Sequence, residues 1–203
     1  FYSRGESEVT VPVGAIRVEV WKGFEYRPEI RVIEVQKGET RRVDIALEHP
    51  VPMPELGYSS GDPHVHIPRA TDDDDQTAFD LLEAEDIHHA TLLAYNEPAG
   101  PYTAAMAKLA SPQSRGLGKA SIRTRGAYSL ISGQEYRSST YGHMNLFLLD
   151  DLVLPGQSTN ADNWPLYGDL VRKGRDAGGV AFYAHGGYAQ SIYADVVQGN
   201  IDA

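Results

Sequence analysis

Residues 8–48 alternate between apolar and polar side chains with the period of a β-strand. The alternation runs through residues 9–13, 16–20, 30–35 and 43–47, with turn-forming residues between the runs. A period of two places apolar side chains on one face of each strand, where they can pack against another layer. The pattern predicts a small antiparallel β-sandwich over residues 1–49. Trp21 and Tyr26 are predicted to pack within it, and His49 to lie in solvent at its end.

Residues 50–57 have the composition of a stiff linker. Pro50, Pro52 and Pro54 alternate with other residues, and Gly57 follows them. Proline fixes its own φ angle and lacks a backbone donor, so such a segment ends regular structure and stays extended. We therefore predict that a second domain begins at residue 58 and extends through residue 203.

Beyond the linker, short apolar runs alternate with helical periodicity. Predicted strands end at residues 64–66 and cover residues 90–95, 128–133, 144–149 and 180–184. Helices are predicted after the Asp72–Asp75 run, over residues 102–109, and from Asn163 and Pro165 to Gly178. This alternation indicates an α/β fold with a mainly parallel sheet and right-handed crossovers, either open or closed into a barrel.

The first of these helices is amphipathic. Its apolar face consists of Ala78, Leu81, Leu82 and Ile87. An Asp of the 72–75 run is predicted to cap its N-terminus. His88 and His89 are predicted to close the helix, because positive charge is favourable at a helix C-terminus, and we interpret both as structural.

Composition narrows the partners and the chemistry. The chain has 203 residues, of which 41% are hydrophobic, a net charge of −10 and no cysteine. Acidic charge without a basic stripe disfavours nucleic acid as a partner, and no apolar run reaches the roughly 18 residues of a membrane span. Metal ligands must therefore come from His, Asp and Glu. No signal peptide is visible from Phe1, so the compartment stays open; loss of a signal would fit a secreted or periplasmic protein.

The run Gly61-Asp62-Pro63-His64-Val65-His66 carries the first candidate site. In a strand, His64 and His66 lie on the same face, so both imidazoles can reach one metal ion from a rigid support. Asp62 faces the same way and can orient a ligand histidine. Two surface histidines on an edge strand would give the same pattern, so the motif alone leaves both interpretations open.

Further candidates lie at the ends of the predicted strands. Glu135 and His185 each follow a strand, and His143 precedes one. Polar groups at the C-terminal ends of strands are where α/β barrels build active sites. One Asp of the 72–75 run can also bridge metals, and Asp74 has the best spacing from His66, although a solvated capping loop has the same composition. The sequence has no Gly-x-Ser-x-Gly elbow and no phosphate-binding glycine loop with a lysine, which leaves hydrolysis by an activated water as the simplest chemistry.

The ordered set of motifs resembles the PHP (polymerase and histidinol phosphatase) metallohydrolase superfamily, and within it the CehA/McbA-like branch. The motifs are Ser60-Gly61-Asp62-Pro63-His64-Val65-His66, Gly133-Gln134-Glu135, Tyr141-Gly142-His143-Met144-Asn145 and Ala184-His185. The resemblance implies a distorted seven-stranded β/α barrel with two or three metal ions on its C-terminal face. It also implies ligand roles for His64, His66, His143 and His185 and a bridging role for Glu135. Asp62 and Asn145 are predicted to support these ligands.

The sequence departs from this family in two places. The family's Thr-Asp-His-Asn stretch is replaced by residues 93–98, in which Asn96 or Glu97 is a possible metal ligand, so the number of ions stays open. Only five strands are predicted after residue 58, and the family's late Asp and terminal His ligands are not found. We therefore expect residues 58–203 to form the N-terminal part of a PHP-like barrel.

These observations lead to one functional hypothesis and two alternatives. The hypothesis is a hydrolase in which Zn, Mn or Fe ions activate water against a small-molecule phosphoester, carboxylester or carbamate. The first alternative is a catalytically degenerate PHP-like protein that binds a ligand. The second is a carbohydrate- or surface-binding protein in which the β-module carries the function.

Overall fold

The computed structural model describes residues 1–97, 115–138, 142–153 and 167–185, and also residues 197, 199 and 201. The chain forms two compact units. The first comprises Phe1–Gly61 and Asp80–His88, and the second comprises Asp62–Phe79 and His89–Ala203. The division into residues 1–49, 50–57 and 58–203 stays a prediction.

The first unit contains a two-stranded antiparallel sheet. Strand β1 spans Gly14–Val20 and strand β2 spans Glu29–Val35, with Gly14 opposite Val35. The predicted sandwich is wrong, because residues 9–13 and 43–47 form no strand although their side chains alternate. Alternation reports which side chains share a face, whereas a strand also needs a neighbouring backbone to bond with. The proline-rich segment contains a short 3-10 helix at Met53–Leu56, which Gly57 ends in a left-handed conformation (φ 85°).

The aromatic residues of this unit differ from their predicted roles. Trp21 is 62% exposed and does not pack in a core. Tyr26 does pack, but its partner is the ring of His49, which stacks on it with centroids 4.1 Å apart. His49 Nε2 also lies 3.0 Å from Glu25 Oε2. His49 therefore packs within this unit and is not a solvated residue. The periodicity of the sequence could not predict these contacts, because Glu25 and Tyr26 lie more than 20 positions before His49.

The second unit is a mixed α/β structure built on a curled half-barrel sheet. Its strands are β3 (Gly61–Val65), β4 (His89–Glu97), β5 (Arg123–Arg125), β6 (Tyr128–Ser138), β7 (Gly142–Phe147) and β8 (Val180–Tyr183). Helix α1 spans Asp72–Glu85, and its last residues, Asp80–Glu85, belong to the first unit. Helix α2 spans Tyr167–Asp176, and a 3-10 helix covers Gly118–Ser121. The strand order is β3-β4-β6-β7-β8, and β5 pairs with β6. Pro63 fits within β3 because that strand is the first in the order, and proline is tolerated on sheet edges.

Strand direction corrects the prediction of a mainly parallel sheet. Strands β4 and β6 are parallel, but β6 pairs antiparallel with both β5 and β7, and β7 pairs antiparallel with β8. Residues 139–141 alone separate β6 from β7. A parallel crossover needs about a dozen residues or more, so these two strands can only form an antiparallel pair.

The same pair of strands is longer than predicted. Strand β6 was expected to end at Gly133 and β7 to begin at Met144, which would place Glu135 and His143 outside both. The structure extends β6 to Ser138 and starts β7 at Gly142, so both residues lie inside strands. The extension consists mostly of polar residues, which apolar periodicity does not detect.

Helix α1 has a capping box at its N-terminus. The Thr71 hydroxyl accepts a bond from Asp74 N–H (3.2 Å), and Asp74 Oδ2 accepts bonds from the N–H groups of Ala70 and Thr71 (2.8 Å each). Thr71 is therefore the N-cap, where an Asp was predicted, and Asp74 is its partner three residues on. This reciprocal arrangement satisfies backbone donors that the first helical turn leaves free.

The C-terminus of α1 also differs from the prediction. The helix ends at Glu85, and Asp86 adopts a left-handed conformation (φ 57°). Ile87 N–H donates to Leu82 O (3.0 Å), which is the closing bond of a Schellman motif. His88 and His89 lie beyond this closure, so neither caps the helix; His89 begins β4 instead.

Two predicted helices lie wholly or partly outside the described residues. The helix predicted over residues 102–109 falls there, and so do Asn163 and Pro165 at the predicted start of the last helix. From Tyr167 onward that last helix is confirmed as α2. The strand that follows it is confirmed as β8, which begins after Gly178 and Gly179.

The two faces of β6 and β7 have different environments. Tyr136, Met144 and Leu146 belong to a buried core that also contains Leu170 and Val171 of α2. Glu135, His143 and Asn145 are offset from them by one position, so they lie on the opposite face. The core therefore fixes the strands from one side and leaves the other side for a polar site.

Candidate metal centre

The five predicted metal ligands converge on one face of the curled sheet. Strand β3 carries His64, and His66 follows its last residue. Glu135 lies in β6 and His143 in β7, while His185 follows β8. The N–H of Ala184 donates to His143 O (3.0 Å), which holds the end of β8 beside β7. Residues separated by 121 positions in sequence therefore meet at one place.

Glu135 lies at the centre of this cluster. Its Oε1 is 2.8 Å from His143 Nδ1 and 3.5 Å from His64 Nε2. Its Oε2 is 3.1 Å from His66 Nε2. Both carboxylate oxygens thus face imidazole nitrogens, and Glu135 itself is fully buried.

The imidazole rings also contact one another. The Nε2 atoms of His64 and His66 are 2.9 Å apart, and their ring centroids are 4.9 Å apart. The ring of His185 lies 5.0 Å from that of His64 and 5.2 Å from that of His143. The four rings therefore surround the carboxylate, with His185 joining the β3 side of the cluster to the β7 side.

These distances fit a shared cation. Ligand atoms bound at about 2.0–2.1 Å from one ion lie roughly 3–3.5 Å from each other. The pairs that join Glu135 to His64, His66 and His143 span 2.8–3.5 Å. One ligand atom each from His64, Glu135 and His185 also lies within 4.8 Å of the others. His64, Glu135 and His185 could therefore hold a metal ion together, whereas ligand roles for His66 and His143 stay predictions.

The donor set also fits a cation electrostatically. A buried carboxylate is unfavourable unless charge and hydrogen bonds compensate for its lost hydration. The 2.9 Å contact between the Nε2 atoms of His64 and His66 requires that one of the two nitrogens carries a hydrogen or that an ion lies between them. A divalent cation satisfies the carboxylate and the nitrogens together.

Asp62 and Asn145 were predicted to support the ligands. Asp62 Oδ1 accepts a bond from the backbone N–H of His64 (2.9 Å), so this carboxylate contacts the main chain of a ligand residue and not its ring. Asn145 lies directly opposite Glu135 in the β6–β7 register and is fully buried. Among the described residues, neither atom of its side-chain amide has a hydrogen-bond partner.

The remaining candidates are placed differently. Asp74 is exposed and its Oδ2 is occupied by the capping box, so these contacts give its metal role no support. Its pKa is lowered by bonds from the N–H groups of Ala70 and Thr71 and then from the Thr71 hydroxyl. Asn96 and Glu97 lie in β4, with Asn96 in register with Glu135. Their side chains lie outside the described part of the structure, so their roles stay predictions.

Arg69 is a residue that the sequence did not single out. Its buried guanidinium donates to Asp75 Oδ1 (2.7 Å), to Ser132 Oγ (2.8 Å) and to Ser121 O (2.6 Å). Burial lowers the pKa of Arg69, and the adjacent Asp75 opposes this shift. The network ties the loop that follows His66 to β6, three residues before Glu135. No local pattern predicts it, because its partners are up to 63 positions away.

Gly133 allows the neighbouring strands to pack closely against β6 beside the cluster. A Cβ atom at this position would lie 2.7 Å from Thr91 Cγ2 and 3.2 Å from both Leu146 O and the Phe147 ring. Glycine is therefore required by the approach of β4 and β7 to β6, two residues before Glu135.

Comparisons with models of protein families, with characterised proteins and with solved structures find no match to this chain. In the described part of the chain, no helix combines the length and apolar character needed to cross a membrane.

Proposed function

We propose that this chain carries the metal site of a hydrolase related to the PHP superfamily and its CehA/McbA-like branch. His64, His66, Glu135, His143 and His185 would be the ligands, and Zn, Mn or Fe suits this set of nitrogen and carboxylate donors. The observation that supports the proposal best is the convergence of four histidines on one buried carboxylate. Two or three ions in the complete site remain part of the proposal.

The proposed fold follows from the same relationship. The curled sheet would be part of a distorted PHP-type β/α barrel whose polar face is the barrel interior. The core between the other face and α2 supports this assignment, because barrel strands pack outward against helices. Antiparallel pairs at β7 make the proposed barrel irregular.

The proposed roles of the site residues follow from how exposed each side chain is. Bound divalent ions supply a nucleophilic water at neutral pH and polarise the bond to be broken. Glu135 is buried and would supply negative charge to the ions from the side of the site that faces away from solvent. The side chains of His66 and His143 are 38% and 34% exposed, and His185 is exposed as well. A substrate would therefore approach from the side of these three histidines.

The proposed substrate is a small molecule with a phosphoester, carboxylester or carbamate bond. The net charge of −10 disfavours a nucleic-acid substrate, because a phosphate backbone would be repelled over a large surface. A single ester group needs only the local charge of the ions. The acidic chain therefore fits a small ligand better than a polyanion.

The test is a hydrolysis screen with chromogenic phosphoester, carboxylester and carbamate substrates. We expect the His64→Ala/His66→Ala variant of the metal-loaded protein to lose at least about a hundredfold in kcat/KM, because two ligands are removed. His89→Ala is the matched control, since His89 is an exposed histidine of the same unit that bonds to Ser129. Equal activity in wild type and the double variant would refute the site. Metal binding without hydrolysis in the wild type would favour the ligand-binding alternative.

A further inference from the structure

Asn145 has an unusual environment for a buried amide. It is 0% exposed, and neither Oδ1 nor Nδ2 has a hydrogen-bond partner in the part of the chain that the structure describes. Leaving a buried donor or acceptor unpaired normally destabilises a protein, because the group loses its hydrogen bonds to water and gains none in return. Such residues are rare in folded proteins. Their presence indicates either that a hydrogen-bond partner is gained in another state of the protein, such as a ligand-bound state, or that the unpaired group has a functional role.

The register limits which group can become that partner. In the strand register, Asn145 of β7 lies directly opposite Glu135 of β6 on one side and Phe182 of β8 on the other. Phe182 is apolar, so Glu135 is the polar cross-strand neighbour. Directly opposed residues in an antiparallel pair have Cβ atoms about 4.5–5.5 Å apart, which is within reach of an amide and a carboxylate. His143, two positions along β7, already directs its Nδ1 at Glu135.

The present orientation of Glu135 explains why the amide is unpaired. Both carboxylate oxygens are turned towards imidazole nitrogens, at 2.8–3.5 Å. A cation bound among the imidazoles would take one lone pair of each ligating oxygen and leave others free. Ligating carboxylates in metal sites are usually held by a further hydrogen bond from a neighbouring group.

We propose that Asn145 is a positioning residue for Glu135: when a divalent cation occupies the cluster, Asn145 Nδ2–H donates a hydrogen bond to the Glu135 carboxylate. The amide therefore lowers the stability of the ion-free protein and raises its affinity for the ion. This inference rests on the metal site of the proposed function but not on hydrolysis.

The test uses Asn145→Leu, which removes the amide at similar volume, and Zn²⁺ alone as the probe with a competing chelator. We expect the Kd for Zn²⁺ to rise about 10- to 100-fold. In the ion-free protein the same substitution should raise Tm by at least about 4 °C, because it removes two unpaired buried groups. A residue with a purely structural role would show the opposite sign in Tm.

Gln134→Leu is the matched control. Gln134 is an equally buried amide on the opposite face of β6, where it donates to Val153 O (2.8 Å) and accepts from Val153 N–H (2.9 Å). Its loss should lower Tm and leave the affinity for Zn²⁺ within about threefold, since its side-chain amide is directed at the Val153 backbone on the core side of the sheet. An unchanged Kd in Asn145→Leu, or a lowered Tm, would overturn the inference while the metal site stands. Failure of the wild type to bind Zn²⁺ would overturn both.

Discussion

Glu135 is the residue through which the predicted ligands are connected. Its two oxygens contact His64, His66 and His143, and the fourth ring, that of His185, packs against two of these histidines. Its burial makes a compensating charge necessary, whereas the exposed histidines would be stable without one. The metal hypothesis therefore depends more on this carboxylate than on the His-x-His motif that first indicated it.

Arg69 supports the loop beside this carboxylate, and its removal should be severe. Arg69→Met would remove the guanidinium partner of Asp75 Oδ1 and Ser132 Oγ, and would leave Arg115 as the cation beside Asp75, with its Nε 3.0 Å from Asp75 Oδ2. We expect the free energy of unfolding to fall by about 3–5 kcal/mol, because one partner of a buried ion pair is lost. Urea unfolding of the ion-free protein measures this change.

Arg172→Met is the control for that measurement. Arg172 pairs with Asp169 on the surface of α2, three positions apart, and its side chain is 68% exposed. Exposed pairs of this kind contribute less than about 0.5 kcal/mol. A loss at Arg69 no larger than the loss at Arg172 would contradict the assigned role of the buried network.

At the scale of elements, the start of helix α1 shows which of two roles, helix capping or metal binding, the contacts of its Asp residues support. The Asp72–Asp75 run predicted both a cap and a possible metal ligand. The structure uses Asp74 within a capping box around Thr71, and Asp75 pairs with Arg69. The sequence could locate the helix start, but it could not assign each Asp because the partners of Asp75 come from other elements.

The capping box predicts a pH dependence of stability. Hydrogen bonds lower the pKa of Asp74 below its ordinary value of 3.8, so the folded state favours the carboxylate. The stabilisation is fully present above pH 3.8 and is lost as pH falls through the lower folded-state pKa. Asp74→Ala should therefore lower Tm at pH 6, and the difference from wild type should shrink below pH 3.8. A difference that stays constant from pH 6 to pH 3 would contradict this account.

Strands β6 and β7 show where sequence patterns stop being informative. Their apolar halves were predicted correctly, whereas the polar halves that carry Glu135 and His143 were assigned to loops. A strand face that carries a polar site has few apolar residues there, so the apolar periodicity is weak along that part of the strand. The short connection at residues 139–141 was the available signal for the antiparallel pair.

At the scale of the whole molecule, the sequence predicted the α/β class and the identity of the clustered residues. It did not predict strand direction, and it overestimated the N-terminal sheet. The alternation at residues 43–47 resembles that of β1 and β2, yet only the latter two strands pair. Pairing depends on long-range backbone geometry, which local alternation does not contain. The clustering of His64, His66, Glu135, His143 and His185 was easier to predict, because the order and spacing of these motifs along the chain resemble those of a known metal site.

The most direct test of the metal site is the Zn²⁺ content of the purified protein after dialysis, compared between wild type and Glu135→Gln. Circular dichroism of both proteins controls for folding. The account predicts at least about one equivalent in the wild type and a small fraction of that in the variant, because the neutral amide removes the buried charge that a cation balances. Less than one equivalent in the wild type, or equal content in both folded proteins, would contradict it.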